Sequence, residues 1–152
     1  DLAAVGGNPQ VARMIYVPTV PWPHEEVAAF VRLWRWTGVL GYRMAITLPD
    51  GRFIGSLGVA KNREIFYFLD PQHWGKGYAT EALEHFFTDC FARFDVPDLR
   101  ADVFDDNPGS AKILTRLGFQ KTGSGTGTSG ARVEPAPISL YRLNRSDFEA
   151  RT

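Results

Sequence analysis

A short glycine-rich turn between a strand pattern and a helix pattern constrains this sequence most. The apolar run Ile65–Leu69 predicts a buried strand, and apolar residues after the turn recur at spacings of three and four up to Phe94, which predicts a helix. The turn between them carries Gly75 and Gly77. Glycine lets the backbone approach a ligand closely, and the first turn of a helix presents free N–H groups to negative oxygens. The segment therefore predicts a site for a phosphate or pyrophosphate group.

The residues of this turn differ from two common phosphate-binding motifs. The sequence Gly75-Lys76-Gly77 lacks the Ser or Thr that ends a P-loop, and a dinucleotide-binding fingerprint would need a third glycine. A glycine-rich connection that merely turns the chain is the alternative to a ligand site. Longer motifs around the turn decide between the two interpretations.

Two longer motifs give the sequence a family resemblance. The stretch Gln72-His73-Trp74-Gly75-Lys76-Gly77 resembles the acyl-CoA pyrophosphate loop, Gln/Arg-x-x-Gly-x-Gly/Ala, of the GCN5-related N-acetyltransferases (GNAT). Extended over residues 70–83, it resembles the ribosomal-protein N-terminal acetyltransferase (RimJ/RimL-like) branch of that superfamily. Residues 107–119, which begin Asn-Pro and end Leu-Gly-Phe, resemble the family's Asn-x-x-Ser/Ala…Gly-Phe element. The resemblance covers most of the chain and is strongest over residues 64–123.

The order of predicted elements favours a sheet with helices on its faces. Strands at 42–48, 52–60 and 64–69 predict an antiparallel meander. A strand at 99–104 follows the helix predicted over 77–94, so it is expected to pair in parallel with strand 64–69. The resemblance implies an α+β fold, a GNAT-like three-layer α/β/α domain with a mixed, mostly antiparallel central sheet. Family members usually begin with a strand that is missing here, so we expect the sheet to lack an edge strand.

The remaining segments predict short helices, a mobile loop and a closing strand. Residues 124–130 contain only Gly, Ser and Thr, which is typical of a flexible, exposed loop. Trp22, Trp34 and Trp36 are expected to cluster, either as core or lid packing or as a substrate wall. The other predicted elements are a helical opening over 1–16 with Asn8 as N-cap, a helix over 24–37 ended by Gly38, a helix that starts at Asn107 and Pro108 and is stopped by Gly118, a strand over 138–143, and one helical turn over 146–150.

Composition argues against several classes of partner and site. The 152 residues include 17 basic and 17 acidic side chains, and this balance does not favour nucleic-acid or membrane-surface binding. The single cysteine, Cys90, lies on the apolar face of a predicted helix and is interpreted as packing, and no Cys/His cluster suggests a metal site. No apolar run reaches the length of a transmembrane helix, and no signal peptide opens the sequence. These absences predict a cytoplasmic protein.

The resemblance implies that residues 1–152 form one acyl-CoA N-acyltransferase domain. The implied activity is transfer of an acetyl group from acetyl-CoA to a primary amine, either a protein N-terminus or a small molecule, by direct attack in a ternary complex and without a metal. The protein is expected to be a monomer or a homodimer. A non-catalytic acyl-CoA-binding or sensor module on the same fold is the alternative, and an unrelated α+β binding domain is a third hypothesis.

The resemblance also implies which residues bind acetyl-CoA. Backbone N–H groups of the turn would hold the pyrophosphate, and Lys76 would add a positive charge or remain solvated. The peptide-like pantetheine arm would pair with the end of the central strand at Phe68 and Leu69, with the thioester carbonyl near a backbone N–H. Asn107 would cap its helix and also reach the pantetheine. The residues expected to bind the cofactor are Phe68, Leu69, Gln72, His73, Trp74, Gly75, Lys76, Gly77, Tyr78, Ala79, Asn107 and Ser110.

Two residues are candidates for the proton transfers of the reaction. Many family members carry a tyrosine acid seven positions after the Asn, where this chain has Leu114. The RimJ/RimL-like branch uses the serine three positions after the Asn, which is Ser110 here, and a serine on a helix face is its structural alternative. Glu64, at the start of the central strand, is the candidate base, or else a strand-end charge.

Two further residues have open interpretations. Tyr67 lies on a strand between Phe66 and Phe68, so it faces either the acceptor site or the core. Arg132 belongs to a Ser-x-Ala-Arg segment that is similar to related chains, which makes it a candidate contact for the substrate or CoA.

Overall fold

Two three-stranded antiparallel sheets form the centre of the molecule. The structure is a computed structural model and describes residues 1–151. One sheet has the order β1-β2-β3 and the other the order β4-β6-β5. The strands are β1 (Tyr42–Thr47), β2 (Phe53–Val59), β3 (Ile65–Leu69), β4 (Asp98–Phe104), β5 (Gln120–Gly127) and β6 (Ala136–Asn144). The helices are α1 (Leu2–Gly6), α2 (Pro9–Ala12), α3 (His24–Leu33), α4 (Tyr78–Arg93), α5 (Pro108–Arg116) and α6 (Arg145–Glu149).

A parallel bridge joins the two sheets at one place. Glu64 pairs with Arg100, and the Arg100 N–H donates to the Arg63 carbonyl over 3.0 Å. The parallel pairing expected between strands 64–69 and 99–104 is confirmed at this bridge, and within residues 1–151 it does not continue beyond it. The two strands diverge instead, and their divergence opens a cleft between the sheets.

The main apolar core lies between the sheets and the pair α4 and α5. Phe87 and Cys90 of α4, Leu114 of α5 and Leu99 of β4 are all completely buried in it. The burial of Cys90 confirms its interpretation as a packing residue. Phe148 of α6 packs on Phe87 and closes the far end of the core.

The N-terminal helices cover the opposite face of β3. Phe68 packs with Val5 of α1 and Val11 near the end of α2. Asn8 accepts a hydrogen bond from the Gln10 N–H at 2.9 Å, which confirms it as the N-cap of α2. The cleft between β3 and β4 is thus bordered by α4 and α5 on one side and by the N-terminal segment on the other.

Helix α3 is shorter than the sequence predicts. It ends at Leu33, and Gly38, with φ of +86°, lies beyond the end of the helix rather than at it. The Trp34 carbonyl accepts a hydrogen bond from the Arg43 N–H at 2.7 Å, so the chain leaves the helix to meet the start of β1. Val31 of this helix is 53% exposed.

The glycine-rich segment after residue 123 is largely a strand. β5 continues to Gly127, and Ser124 and Gly125 pair with Ser139 and Ile138 of β6. The prediction of a flexible loop is therefore wrong for residues 124–127. Backbone pairing with a neighbouring strand fixes a sequence whose side chains alone carry little preference for structure.

The three tryptophans expected to cluster divide into two groups. Trp22 and Trp34 both contact Phe30, and they border the cleft. Trp36 packs on Tyr42 and does not border the cleft.

Within residues 1–151, no helix has the length and hydropathy that a bilayer span requires.

Candidate functional site

The divergence of β3 and β4 creates a cavity of about 760 Å³. Its walls come from the N-terminal segment, β3, the glycine turn with the first residues of α4, β4 and the first half of α5. The cavity therefore collects the two motifs that the sequence places more than 20 residues apart, the glycine turn and the Asn107 segment.

The backbone of β3 directs polar groups into this cavity. The Asp70 N–H donates to the Ile54 carbonyl over 2.8 Å, so alternate residues of β3 bond to β2. The N–H and C=O groups of Tyr67 and Leu69 consequently point the other way, towards the diverging β4. The indole N–H of Trp74 donates to the Leu69 carbonyl over 2.9 Å, and the Leu69 N–H faces the cavity.

The glycine turn leaves the start of α4 open. Gly75 and Gly77 have φ of +71° and +85°, the left-handed region that favours glycine, and no atom lies within 4 Å of a Cβ built at either position. Gly77 is the N-cap of the 16-residue helix, and no side chain caps it. The predicted strand–turn–helix unit is confirmed as a structure, with its helix N-terminus accessible at the cavity.

Asn107 and Ser110 begin the second helix at the cavity. The Ser110 N–H donates to Asn107 Oδ1 over 3.2 Å, and Pro108 occupies the first helical position. The predicted N-cap is confirmed. Gly118, with φ of +99°, follows the helix as expected.

Tyr67 and Ser110 form a pair of hydroxyl groups across the cavity. The Tyr67 hydroxyl lies 2.5 Å from Ser110 Oγ, and either oxygen can donate. Burial raises the pKa of Tyr67 to about 12, and the hydrogen bond with Ser110 opposes this rise. The Tyr67 hydroxyl therefore keeps its proton at neutral pH. The ring of Tyr67 packs against the main core, and its hydroxyl reaches Ser110 of α5 at the cavity.

Glu64 and Asp102 form an acidic pair on the other side of the cavity. Burial raises the pKa of Asp102 to about 6, with further contributions from the charge of Glu64 and a hydrogen bond to it. Burial, followed by the charges of these two carboxylates, also raises the pKa of Tyr16 to about 12. With a pKa near 6, Asp102 is ionised at neutral pH and can accept a proton from a bound amine.

Sequence reasoning missed Asp102. In the sequence, Asp102 stands out only as a carboxylate within a strand, between Ala101 and Val103, which are buried core residues. This pattern becomes informative only when β4 is known to lie beside Glu64, and that placement depends on the tertiary structure.

The comparison with known families decides the identity of this fold. A family model described as an acetyltransferase (GNAT) domain matches residues 1–120. The chain belongs to the GNAT acetyltransferase family. The expected α+β GNAT fold is confirmed, with the correction that the sheet is divided into two antiparallel halves.

Named relatives and solved structures agree with this family. The chain is 34% identical over 90 residues to the uncharacterized N-acetyltransferase YoaA of Bacillus subtilis, covering 55% of this chain and 51% of that protein. It is 40% identical over 85 residues to the uncharacterized N-acetyltransferase p20 of Bacillus licheniformis, covering 56% of this chain and 48% of that protein. The GNAT domain thus spans about half the length of the curated relatives it matches.

Solved structures share the fold at low identity. The spermidine N-acetyltransferase of Vibrio cholerae in complex with CoA and spermine superimposes with a TM-score of 0.63 at 17% identity, covering 70% of this chain and 67% of that one. The ribosomal-protein-S5-alanine acetyltransferase of Vibrio fischeri gives a TM-score of 0.55 at 21% identity, covering 65% and 58%.

The GNAT cavity includes most, but not all, of the predicted cofactor residues. Gln72 and Lys76 are exposed and lie outside its lining, whereas Lys112 and Arg116, one turn apart on α5, border it. The predicted residues that line the cavity are Phe68, Leu69, His73, Trp74, Gly75, Gly77, Tyr78, Ala79, Asn107 and Ser110.

The side chain of Arg132 forms its hydrogen bonds outside the cavity of this GNAT domain. Its guanidinium donates to both carboxylate oxygens of Asp106, at 2.9 and 2.7 Å, and lies 3.8 Å from the centre of the Phe104 ring. Its Nε also donates to the Arg13 carbonyl over 2.6 Å. Arg132 therefore ties the segment after β5 to the N-terminal segment, and it does not line the cavity.

Proposed function

We propose that this GNAT domain transfers an acetyl group from acetyl-CoA to a primary amine by direct attack in a ternary complex. The observation that supports this most is the position of three groups on one cavity. They are the open start of α4, the hydroxyl pair of Tyr67 and Ser110, and the acidic pair of Glu64 and Asp102.

The start of α4 would hold the pyrophosphate of acetyl-CoA. Its uncapped N–H groups and the positive end of the helix dipole favour negative oxygens, and Gly75 and Gly77 leave room for them. Lys112 and Arg116 are placed to add positive charge along α5. Lys76 is not assigned to the pyrophosphate in this proposal, because its side chain is exposed and lies outside the cavity.

The cleft edge of β3 would hold the pantetheine arm and the reacting thioester. A peptide-like chain can pair with the outward N–H and C=O groups of Tyr67. The Leu69 carbonyl already accepts from Trp74, so the Leu69 N–H is the group available to stabilise the developing oxyanion. Asn107 would reach the pantetheine through its amide nitrogen, because its oxygen caps α5.

The two pairs would divide the proton transfers between them. The amine nitrogen attacks the thioester carbon, the new C–N bond forms and the C–S bond breaks. The acidic pair takes the proton that the amine loses, and the hydroxyl pair gives a proton to the departing thiolate. Since the two hydroxyl groups are hydrogen-bonded, Ser110 would act as the donor, Tyr67 would pass its proton to Ser110, and solvent would return a proton to Tyr67 to complete the turnover.

We also assign the domain to the RimJ/RimL-like branch and to the cytoplasm. The residues of the extended turn motif support the branch, and the fold shared with a ribosomal-protein-S5-alanine acetyltransferase agrees with it. Peptide N-termini and small amines are both candidate acceptors under this assignment.

Release of free CoA thiol from acetyl-CoA tests the proposal. The purified chain is incubated with acetyl-CoA and a panel of peptides, amino acids, simple amines and polyamines, and a reaction without amine measures hydrolysis. The proposal predicts amine-dependent release by at least one class, with the acetylated amine detected by mass spectrometry. Acetyl-CoA binding without release for any class would favour the non-catalytic module instead.

A further inference from the structure

Arg43 is a buried cation that the proposed reaction does not use. It projects from β1 to the cavity on the side of the N-terminal helices. Its Nε and one of its terminal nitrogens are buried, and neither has a hydrogen-bond partner within residues 1–151. Burial lowers the pKa of Arg43 to about 9. Buried donors without partners are costly in a folded protein, so this guanidinium calls for an explanation.

Aromatic rings hold Arg43 in place without satisfying its donors. The guanidinium carbon lies 4.1 Å from the centre of the Phe66 ring, 4.7 Å from that of Phe30 and 5.6 Å from that of Trp34. Such cation–π contacts stabilise the charge, but a ring face does not replace a hydrogen-bond acceptor for each N–H. These three rings therefore orient the guanidinium and leave its N–H donors available.

Gly58 allows Arg43 to reach this position. It stands between Arg43 and Phe66 in the register of the three strands. A Cβ at residue 58 would lie 2.6 Å from Arg43 Cγ, so a side chain there would displace the arginine. Because residue 58 has no side chain, the side chain of Arg43 can extend over β2 to the cavity.

Arg43 and Glu64 lie on the same face of the first sheet. Glu64 precedes Phe66 by two residues, and residues two apart on a strand share a face and are separated by about 7 Å. Arg43, Glu64 and Asp102 all border the same cavity. A positive group and a pair of carboxylates therefore line one cavity.

We propose that the acceptor is a small amine that also carries a carboxylate, such as a free amino acid, and that Arg43 binds this carboxylate. The proposal rests on the proposed function and narrows its substrate class. The planar guanidinium fork matches a carboxylate, while the amine of the same molecule faces Glu64 and Asp102. A phosphate would bring a second negative charge that Arg43 cannot balance. A polyamine would place positive charge beside Arg43, so polyamines should be poor acceptors.

Matched acceptors test this inference by turnover. Alanine, β-alanine and phenylalanine are each compared with the corresponding amide, which keeps the amine and removes the carboxylate. We expect kcat/KM at least about 10-fold higher for the acid member of a pair, and Arg43→Met, which keeps an unbranched apolar side chain, should reduce that ratio to about one. Arg43→Lys should keep part of the preference, and Arg52→Met, an exposed arginine in the β1–β2 turn, should keep all of it.

A binding experiment keeps the inference testable without turnover. N-acetylalanine and its amide are titrated against the chain with saturating CoA, with wild type, Arg43→Met and Arg43→Lys compared and the fold of each variant checked by circular dichroism. Tighter binding of the acid in wild type, lost in Arg43→Met, supports the carboxylate site even if no amine releases CoA, in which case the proposed function alone fails. Equal binding of acid and amide, or binding of neither, overturns the inference and leaves Arg43 as a packing residue.

Discussion

The hydroxyl of Tyr67 on β3 lies 2.5 Å from Oγ of Ser110 on α5. The contact spans the cleft between two elements that are 43 residues apart in sequence. It supplies a tyrosine hydroxyl at the site even though residue 114, where many family members carry a tyrosine, is a buried leucine. In the proposed reaction the two hydroxyl groups therefore act as one proton donor.

Removal of either hydroxyl should slow the chemical step. Ser110→Ala and Tyr67→Phe should each lower kcat by about 10- to 100-fold and leave the KM for acetyl-CoA nearly unchanged, because a thiolate needs only a modest proton donor. Since the two groups act together, the double variant should be little worse than either single one. Steady-state kinetics with Ser124→Ala, an exposed serine on β5, as the control checks this. Unchanged kcat in both single variants would remove the pair from the mechanism.

The acidic pair should give the activity a pH dependence. The pKa of Asp102 lies near 6, raised first by burial and then by Glu64, so the pair loses its capacity to accept a proton below that pH. We expect kcat/KM to rise as pH increases through about 6. Glu64→Gln and Asp102→Asn should each lower activity and alter this rise, whereas Glu25→Gln, on exposed α3 surface, should not. A profile that is identical in wild type and both variants would exclude the pair as the base.

The same carboxylate should affect stability in the opposite direction. Folded Asp102 holds its proton up to about pH 6, whereas an unfolded aspartate releases its proton near pH 4. The folded state therefore binds more protons between these values, and the unfolding free energy contributed by this group falls as pH rises from about 4 to about 6. Asp102→Asn should remove that fall, which denaturant titrations at several pH values measure. The same slope in wild type and variant would show that Asp102 titrates normally.

Arg132 should be a structural residue rather than a substrate contact. Its side chain is only 9% exposed, and it bonds to Asp106 and the Arg13 carbonyl. Arg132→Ala should cost about 1–3 kcal/mol of unfolding free energy, because it removes these hydrogen bonds and the packing of the guanidinium on Phe104. That cost corresponds to a fall in Tm of several degrees for a chain of this size. Thermal melting and kinetics test this together, and a large rise in the KM for either substrate with no loss of Tm would contradict it.

Local sequence patterns were sufficient for the elements that begin and end within a few residues. The turn at Gly75 and Gly77 and the cap at Asn107 depend on backbone conformation that the local residues dictate, and both are confirmed. The residues that the sequence did not reveal depend on strand placement. Asp102 matters only because β4 starts opposite Glu64, and Arg43 reaches the cavity only because Gly58 lies beside it.

Sequence composition gave the wrong structure where pairing with a distant segment determines the backbone. Residues 124–127 have the composition of a linker, yet β6 provides a strand for them to pair with. Helix α3 ends early because the Trp34 carbonyl bonds to β1, a contact that the helical pattern over 24–37 does not encode. Arg132 resembled a ligand contact by its motif, but its partner Asp106 precedes it by 26 residues and could not be inferred from the segment itself.

Thermal melting with and without acetyl-CoA tests the central claim most directly. Wild type is compared with Gly77→Glu, which places a carboxylate at the start of α4, and with Gly51→Glu in the β1–β2 turn. Gly51 has the same φ of +85° and equally open space, so it controls for backbone strain and added charge. A ligand at 100 times its Kd stabilises by about 2.7 kcal/mol, which raises Tm by several degrees. We expect this rise in wild type and Gly51→Glu and its loss in Gly77→Glu. No rise in a folded wild type, or a full rise in Gly77→Glu, would contradict the placement of acetyl-CoA at this turn.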